Sequence, residues 1–343
     1  MDALWSNLET DDKRALRLCC TVIRDAVDAH ASCLEEQGDA PVLSPTTCAR
    51  LACVNTLSLR SMACLRGMLV ESPQPGAFFP RLQSLRLILH EGGVAIEDPA
   101  DYQAIAIAGA LGWLTQLSLR PPASATALPQ QMAALLSACG KLEDLRLHAD
   151  GVRTLSRLAD IGALAAAGTQ LLRLSLLCCC SLSNLAPLSA LANLQSLYIN
   201  GCVGVSDLMP LTAVAKLQSL DLRGCITSDL APLTSMVNLQ SLDISNCYRL
   251  TDLTPRTVLV NSPSLDISGC KCVSSLASLT DLVNLHILKI DCSKVVHNPP
   301  IIAASDLAPL AAMVNIQSLN INGCSESKLA LLRTLPPPLL LQY

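Results

Sequence analysis

The sequence predicts an α/β solenoid, in which short parallel strands stack layer on layer and the chain returns between them. Three observations lead there. The piece Leu239-Gln240-Ser241-Leu242-Asp243-Ile244-Ser245-Asn246-Cys247 has near-copies at 194–202, 217–225, 262–270 and 316–324. Over the middle of the chain these copies recur every 22 or 23 residues, and self-similarity at a fixed period fixes architecture before local propensity is consulted. The composition is 51% hydrophobic but only 2% aromatic, so leucine fills the interior, as a stack of narrow equivalent layers requires.

Charge and cysteine usage narrow the class. A net charge of −4 excludes a general nucleic-acid binder, which needs a basic footprint, and attachment to an anionic membrane. Met1 to Trp5 lead into Glu9, Asp11 and Asp12, unlike a secretory leader, and the longest apolar run, about Ala104 to Leu114, is shorter than the roughly 20 residues that span a bilayer. The protein is expected to be soluble and cytoplasmic, with nuclear or cytoskeletal and axonemal association as alternatives. Of 17 cysteines, six fall on one repeat position: Cys179, Cys202, Cys225, Cys247, Cys270 and Cys324. A repeated layer position is a packing site, so reduced thiols are expected there.

Residues 1–45 stand apart as a small helical cap. Thr10 suits an N-cap, Asp11 and Asp12 suit the positive helix end, and Ala15, Leu18, Cys19, Val22, Ala26 and Ala29 recur at helical spacing. The helix is expected to end near Glu35 to Gly38, with a linker from Asp39 to Pro45. Residues 46–335 are the repeat array, and 336–343, opening on Pro336-Pro337-Pro338, form a C-terminal tail that covers the last layer.

Within the array, Leu-x-x-Leu-x-Leu-x-x-Cys/Asn begins at Val54, Leu82, Leu114, Leu142, Leu171, Leu194, Leu217, Leu239, Ser262, Leu285 and Ile316. Eleven matches in register resemble the leucine-rich repeat family over about 280 residues. The resemblance implies a horseshoe with a concave parallel β-sheet, inward leucines, and Cys or Asn lining the turn after each strand. The later returns read Asp-Leu-x-Pro-Leu at 207–211, 229–233 and 306–310, with Asn184 to Leu188 related. Asp or Asn caps a short turn and Pro is tolerated in its first residues, so these are expected to be single turns or 3₁₀ pieces. The earlier returns have room for true helices at Ala125 to Cys139 and Ser156 to Ala167. Arg66 to Pro80 and Asp291 to Ser305 are inserts, expected as surface loops.

Two narrower resemblances concern the start of the chain. Asp11 to Ala29, with Trp5 and Leu8 before it, resembles the second half of an F-box, although the Leu-Pro start of that family is missing and no aromatic follows Arg24. The same opening is similar to those of green-algal leucine-rich repeat proteins. The F-box resemblance implies docking of residues 1–45 on the linker protein of a cullin-type ubiquitin ligase. From the residues alone, the segment reads equally well as a cap shielding the first repeat.

No catalytic constellation is visible. The five histidines are scattered, no glycine-rich phosphate loop is present, and Cys178-Cys179-Cys180 and Cys270-Lys271-Cys272 lack the second pair or the histidines of a zinc site. No enzyme activity, cofactor or metal is expected. The informative surface is the concave face, with Arg86, Arg120, Arg146, Arg173, Tyr198, Asp221, Arg223, Asp243, Asp266 and Lys289 as candidate protein-binding residues. Aligning the copies runs Arg86, Ser118 and Arg146 into one column and puts Asp221, Asp243 and Asp266 on successive strands, where like charges repel unless Arg223 or solvent offsets them. The expected function is a non-enzymatic scaffold for protein–protein interaction, in the narrower form a substrate-recognition adaptor of the ligase. The alternative is a structural or assembly protein of the cytoskeleton or axoneme.

Overall fold

The structure, a computed structural model, describes residues 33–35, 56–59, 65, 83–88, 99–119, 128, 130–148, 158–168, 170–251, 253, 263–270, 272–273, 276–282, 284–291, 309–310, 313, 315–322 and 340–342. The chain divides into two compact units, one of residues 1–150 with 163–171, the other of 151–162 with 172–343.

In the first unit, β1 (Cys33–Glu35), β2 (Thr56–Leu59), β3 (Ser84–Ile88), β4 (Leu114–Leu119) and β5 (Asp144–His148) each pair in parallel with the next. Helix α1 (Pro99–Ala110) returns the chain from β3 to β4, and α2 (Gln130–Ala138) from β4 to β5. Leu85, Leu87, Leu117, Leu119, Leu145 and Leu147 are buried beneath the helices with Ile105, Met132, Leu135 and Leu136. Each such side chain contributes about 1.5–3 kcal/mol on burial.

Several expectations change over residues 1–171. The helix expected to reach about Glu36 does not: Cys33–Glu35 is a strand, because pairing with Thr56–Ser58 gives the β2 backbone the partners an open edge lacks. The rest of residues 1–45 lies outside the described residues, as does most of both inserts. The helix expected at 125–139 is present in shorter form as α2. The one expected at 156–167 is instead a 3₁₀ turn at Gly162–Ala167. Its buried Leu164 and Ala167 are three apart, which one 3₁₀ turn places on one side, and the Asp160 carboxylate accepts the Gly162 N–H at 2.7 Å. Helix α1 is an addition, although Pro99 at its first position and Gly112 just past its end (φ +70°) spell it out.

In the second unit, β6 (Arg173–Leu177), β7 (Ser196–Tyr198), β8 (Ser219–Asp221), β9 (Ser241–Asp243), β10 (Ser264–Asp266), β11 (Ile287–Asp291), β12 (Ser318–Asn322) and β13 (Leu340–Gln342) form one parallel ladder in sequence order. Part of the tail thus adds a strand. The second motif leucine pairs across every layer, Leu174 with Leu197, Leu220, Leu242, Leu265, Leu288 and Leu319, and all seven are buried. The leucine repeat is therefore one continuous interior column.

The returns of this unit are 3₁₀ turns at Ala186–Ala190, Met209–Ala213, Ala231–Ser235 and Ala277–Asp281. Asn184, Asp207 and Asp229 accept the backbone N–H two residues on, at 2.7–2.9 Å, and Pro187, Pro210 and Pro232 occupy the first turn, where a missing N–H costs nothing. The capped short turns expected at 184–188, 207–211 and 229–233 are what forms, while residues 306–308 of the fourth lie outside the described residues.

The strand exits carry two further columns. Cys178, Gly201, Gly224, Asn246 and Gly269 all adopt left-handed backbone, with φ between 57° and 75°. That conformation explains Gly or Asn at the eighth motif position, and a Cβ at Gly269 would overlap the Asn246 amide. The next residue is the buried cysteine. The Sγ of Cys202, Cys225, Cys247 and Cys270 donates to the carbonyl of Leu176, Ile199, Leu222 and Ile244 at 3.2, 3.4, 3.2 and 3.0 Å. Each thiol thus adds a bond to a backbone oxygen of the preceding layer while filling an apolar site, a role suited to a small hydrophobe with a weak donor.

Burial pushes the Cys247 and Cys270 thiols up to about 12. They stay neutral in the fold at a pH where an unfolded chain, with thiol pKa about 8.5, ionises. Stability from these groups is fully present below about pH 8.5 and is lost as pH rises towards 12, at about 1.4 kcal/mol per pH unit per thiol. Two results are expected. The unfolding midpoint in urea falls progressively above about pH 8.5. Iodoacetamide labels the exposed Cys272 in native protein, while Cys225, Cys247 and Cys270 are labelled only after unfolding, as peptide mass spectrometry will read.

Candidate binding face

Alternation along each strand turns every second side chain away from the leucine core. In the second unit the pairing aligns Ser175, Tyr198, Asp221, Asp243, Asp266, Lys289 and Asn320 in one register column. On one side of it lie Arg173, Ser196, Ser219, Ser241 and Ser264; on the other lie Arg223, Ser245 and Ser268, two residues after the three aspartates.

The three aspartates differ in what holds them. Asp221 is buried and carries most of the polar contacts: Oδ1 accepts the Arg223 N–H at 2.9 Å and Nε at 3.1 Å, and Oδ2 accepts Nε at 2.9 Å and Nη2 at 2.6 Å. Arg223 also reaches Asp243, with Nε 3.4 Å from Oδ2. Its hydrogen bonds to Asp221 first, then the nearby carboxylates of Asp221, Asp243 and Asp266, hold the guanidinium in its charged form against the opposing effect of burial. Asp243 Oδ1 accepts the Ser245 N–H at 3.0 Å and its hydroxyl at 2.8 Å, and Asp266 Oδ1 accepts the Ser268 N–H at 2.9 Å. Lys289 Nζ lies 4.0 Å from Asp266 Oδ2.

These contacts answer the repulsion expected of the ladder. Arg223 sits between the first two carboxylates and Lys289 beside the third. Each aspartate also closes a turn by accepting the N–H two residues on, so part of its recurrence is structural. Side-chain exposure separates them, at 8% for Asp221 against 34% for Asp243 and 26% for Asp266. Asp243 and Asp266, paired across β9 and β10, are the carboxylates a ligand reaches.

The other candidates lie elsewhere. Arg173 is exposed at the start of β6, opposite Ser196. Arg86 and Arg146 belong to the first unit, and Arg120 lies outside the described residues. Arg86 and Arg146 do not share a column. The ladder shifts between Leu85 and Arg86, so Arg86 pairs with Gln116 and that residue with Asp144, whereas Arg146 pairs with Ser118 and that residue with Ile88. The cause is the 32-residue spacing from Leu82 to Leu114, the longest of the early repeats, which enters β4 two residues out of step with the motif. Arg146 is also engaged on its own strand, donating from Nε and Nη2 to the buried Asp144 at 3.2 and 2.9 Å. The sequence signal for this partner is the spacing Asp-x-Arg at 144–146, repeated at 221–223, which puts the two side chains on one strand face.

Among the described residues, no group of three or more His, Cys, Asp or Glu is placed to hold a metal ion, and no helix is long and apolar enough to cross a membrane. Residues 215–257, from the end of the return before β8 to beyond the β9 exit, match the family model of Leucine Rich repeats (2 copies). The chain carries leucine-rich repeats. No curated protein sequence matches it. Among solved structures it is similar to an internalin C2 from Listeria monocytogenes, at 22% identity over 65% of this chain and 83% of that one, with a TM-score of 0.45. An internalin (inlF) from the same organism is 19% identical over 77% and 82%, with a TM-score of 0.47. The chain of the TLR13–ssRNA13 complex is 20% identical over 86% of this chain and 39% of that one, with a TM-score of 0.49.

The different holds on the aspartates give an ordered expectation. Asp221→Ala removes a buried carboxylate with several charge-assisted bonds and should lower unfolding stability by about 2 kcal/mol or more. Asp266→Ala removes a half-exposed one and should cost less than about 1 kcal/mol. Urea denaturation of both variants checks the order, and equal losses would contradict it.

Proposed function

We propose that this chain is a non-enzymatic interaction scaffold that binds a protein on the solvent side of the second unit's sheet. The contact set is Arg173, Tyr198, Arg223, Asp243, Asp266 and Lys289, with Asp221 holding Arg223 in place. Arg86, Arg120 and Arg146 of the first unit are a second set. One observation supports this best: Asp243 and Asp266 stand side by side, partly exposed and only partly neutralised, among small serines at 241, 264, 245 and 268. The small serines leave room for a basic side chain of a partner to reach both carboxylates between Arg223 and Lys289, an arrangement that gives charge-based selectivity and fast encounter.

The narrower reading makes residues 1–45 the cap and adaptor, 46–335 the recognition array and 336–343 the tail, in a cytoplasmic substrate receptor of a cullin-type ubiquitin ligase. Its support is the F-box resemblance of Asp11 to Ala29. The two parts are tested separately. Proteins co-purifying with the full-length chain are compared with those of Asp243→Lys/Asp266→Lys. The proposal expects the variant to lose a partner, and an unchanged set would remove this face from contention. Full-length protein mixed with the ligase's linker protein at micromolar concentration should form a complex, and failure to do so would discard the adaptor reading alone.

A further inference from the structure

The strand exits of the second unit share a tight turn. The N–H of Cys180 donates to the Cys178 carbonyl at 2.9 Å, that of Val203 to Gly201 at 3.0 Å and that of Tyr248 to Asn246 at 2.9 Å. A bond from residue i+2 back to residue i closes a γ-turn, bringing the two end residues within the roughly 4.4–6.8 Å between Cα atoms that a disulfide spans. Of these three turns, only the first has a thiol at both ends. Cys178 and Cys180 are each partly exposed, whereas Cys179 between them is buried, its Sγ 3.8 Å from the Leu177 carbonyl. Both outer sulfurs lie against one residue of the next layer, Gly201. Cys180 Sγ is 3.6 Å from its carbonyl oxygen, and a Cβ built on Gly201 would sit 3.4 Å from Cys178 Sγ. That neighbour has no side chain, and a larger residue there would press on the Cys178 sulfur. Cys178 is also the one member of the left-handed column that is neither Gly nor Asn (φ 58°), an occupancy that costs about 1–2 kcal/mol.

We propose that Cys178 and Cys180 form a surface dithiol that closes reversibly to a disulfide by exchange with a low-molecular-weight disulfide such as oxidised glutathione. The Cys180 thiolate attacks one sulfur of glutathione disulfide, forming a mixed disulfide and releasing one glutathione. The Cys178 thiolate then attacks the Cys180 sulfur, forming the Cys178–Cys180 bond and expelling the second glutathione. Two electrons pass from the protein thiols to the glutathione disulfide, which is reduced, and the two protons the cysteines give up end on the two glutathione thiols. Burial, with Cys180 and Cys179 close by, pushes the Cys178 thiol up, which suits it to the resolving role. A disulfide across a three-residue turn closes a small ring, so its potential is oxidising and its bond labile, the behaviour of a transient rather than a structural bridge in a reducing compartment.

The test incubates reduced full-length protein with glutathione redox buffers of increasing oxidised fraction. The protein is quenched with acid, alkylated, and the tryptic peptide 174–216 analysed by mass spectrometry. The proposal expects that peptide to lose two hydrogens and two alkylation sites, with recovery on return to reduced glutathione. It expects the change to vanish in Cys178→Gly and in Cys180→Ser. Cys178→Gly relieves the left-handed strain, so its urea midpoint should equal or exceed that of the parent, and loss of the bridge there cannot be ascribed to misfolding. Glutathione that stays attached to Cys180 without release would overturn the proposal. So would a two-hydrogen loss that persists in Cys178→Gly, since it would place the bridge among Cys179, Cys180 and Cys202.

Discussion

Everything in the second unit hangs on how each strand ends. A strand of three to five residues leaves its ladder while still surrounded by neighbouring layers, so its buried carbonyls must find donors within the protein. The N–H groups of Cys202, Cys225 and Cys247 reach the carbonyls of Ile199, Leu222 and Ile244 at 3.3, 3.0 and 3.2 Å, the thiols of Cys202, Cys225, Cys247 and Cys270 add a bond to one carbonyl of the preceding layer each, and a left-handed residue just before sets the turn. From β7 to β10 this exit is the same in each layer, and the leucines stack in line beside it. A register slip of one residue would turn every core side chain outward.

The solvent face inherits its order from that interior. Tyr198, Asp221, Asp243, Asp266 and Lys289 form a column because the leucines beside them do. An aspartate next to the exit is drawn into it, accepting the N–H two residues on. Asp221 goes furthest and is spent on anchoring Arg223. Asp243 and Asp266 keep exposed surface. One motif position thus serves both scaffold and recognition, and its local neighbours, Arg at 223 and Ser at 245 and 268, decide the share.

The parallel strands, the inward leucines, the cysteine column and the capped short returns were legible in the sequence because each is a repeated requirement, and repetition amplifies the signal. Features that occur once were harder to read. The shift between β3 and β4 depends on the length of one return, which the strand motif does not encode, and it separated Arg86 from the column of Arg146. Helix α1 was announced by Pro99 and Gly112, but its uniformly apolar run hides the periodicity that marks a surface helix. The strand at Cys33–Glu35 forms because β2 offers an edge, a tertiary cause invisible to helical spacing. In the binding face, the order of residues was readable; which aspartate is buried was not, since that turns on whether Arg or Ser follows two residues later.

The dependence of the fold on the thiol-to-carbonyl ladder is tested most directly by urea unfolding of Cys247→Ala. Removing the sulfur takes one of two donors from the Leu222 carbonyl, which keeps the Cys225 N–H at 3.0 Å, and opens a small cavity in a fully buried site. A loss of about 1–2 kcal/mol is predicted, with the slope of the transition unchanged. A variant as stable as the parent would contradict it and reduce the cysteine column to filler.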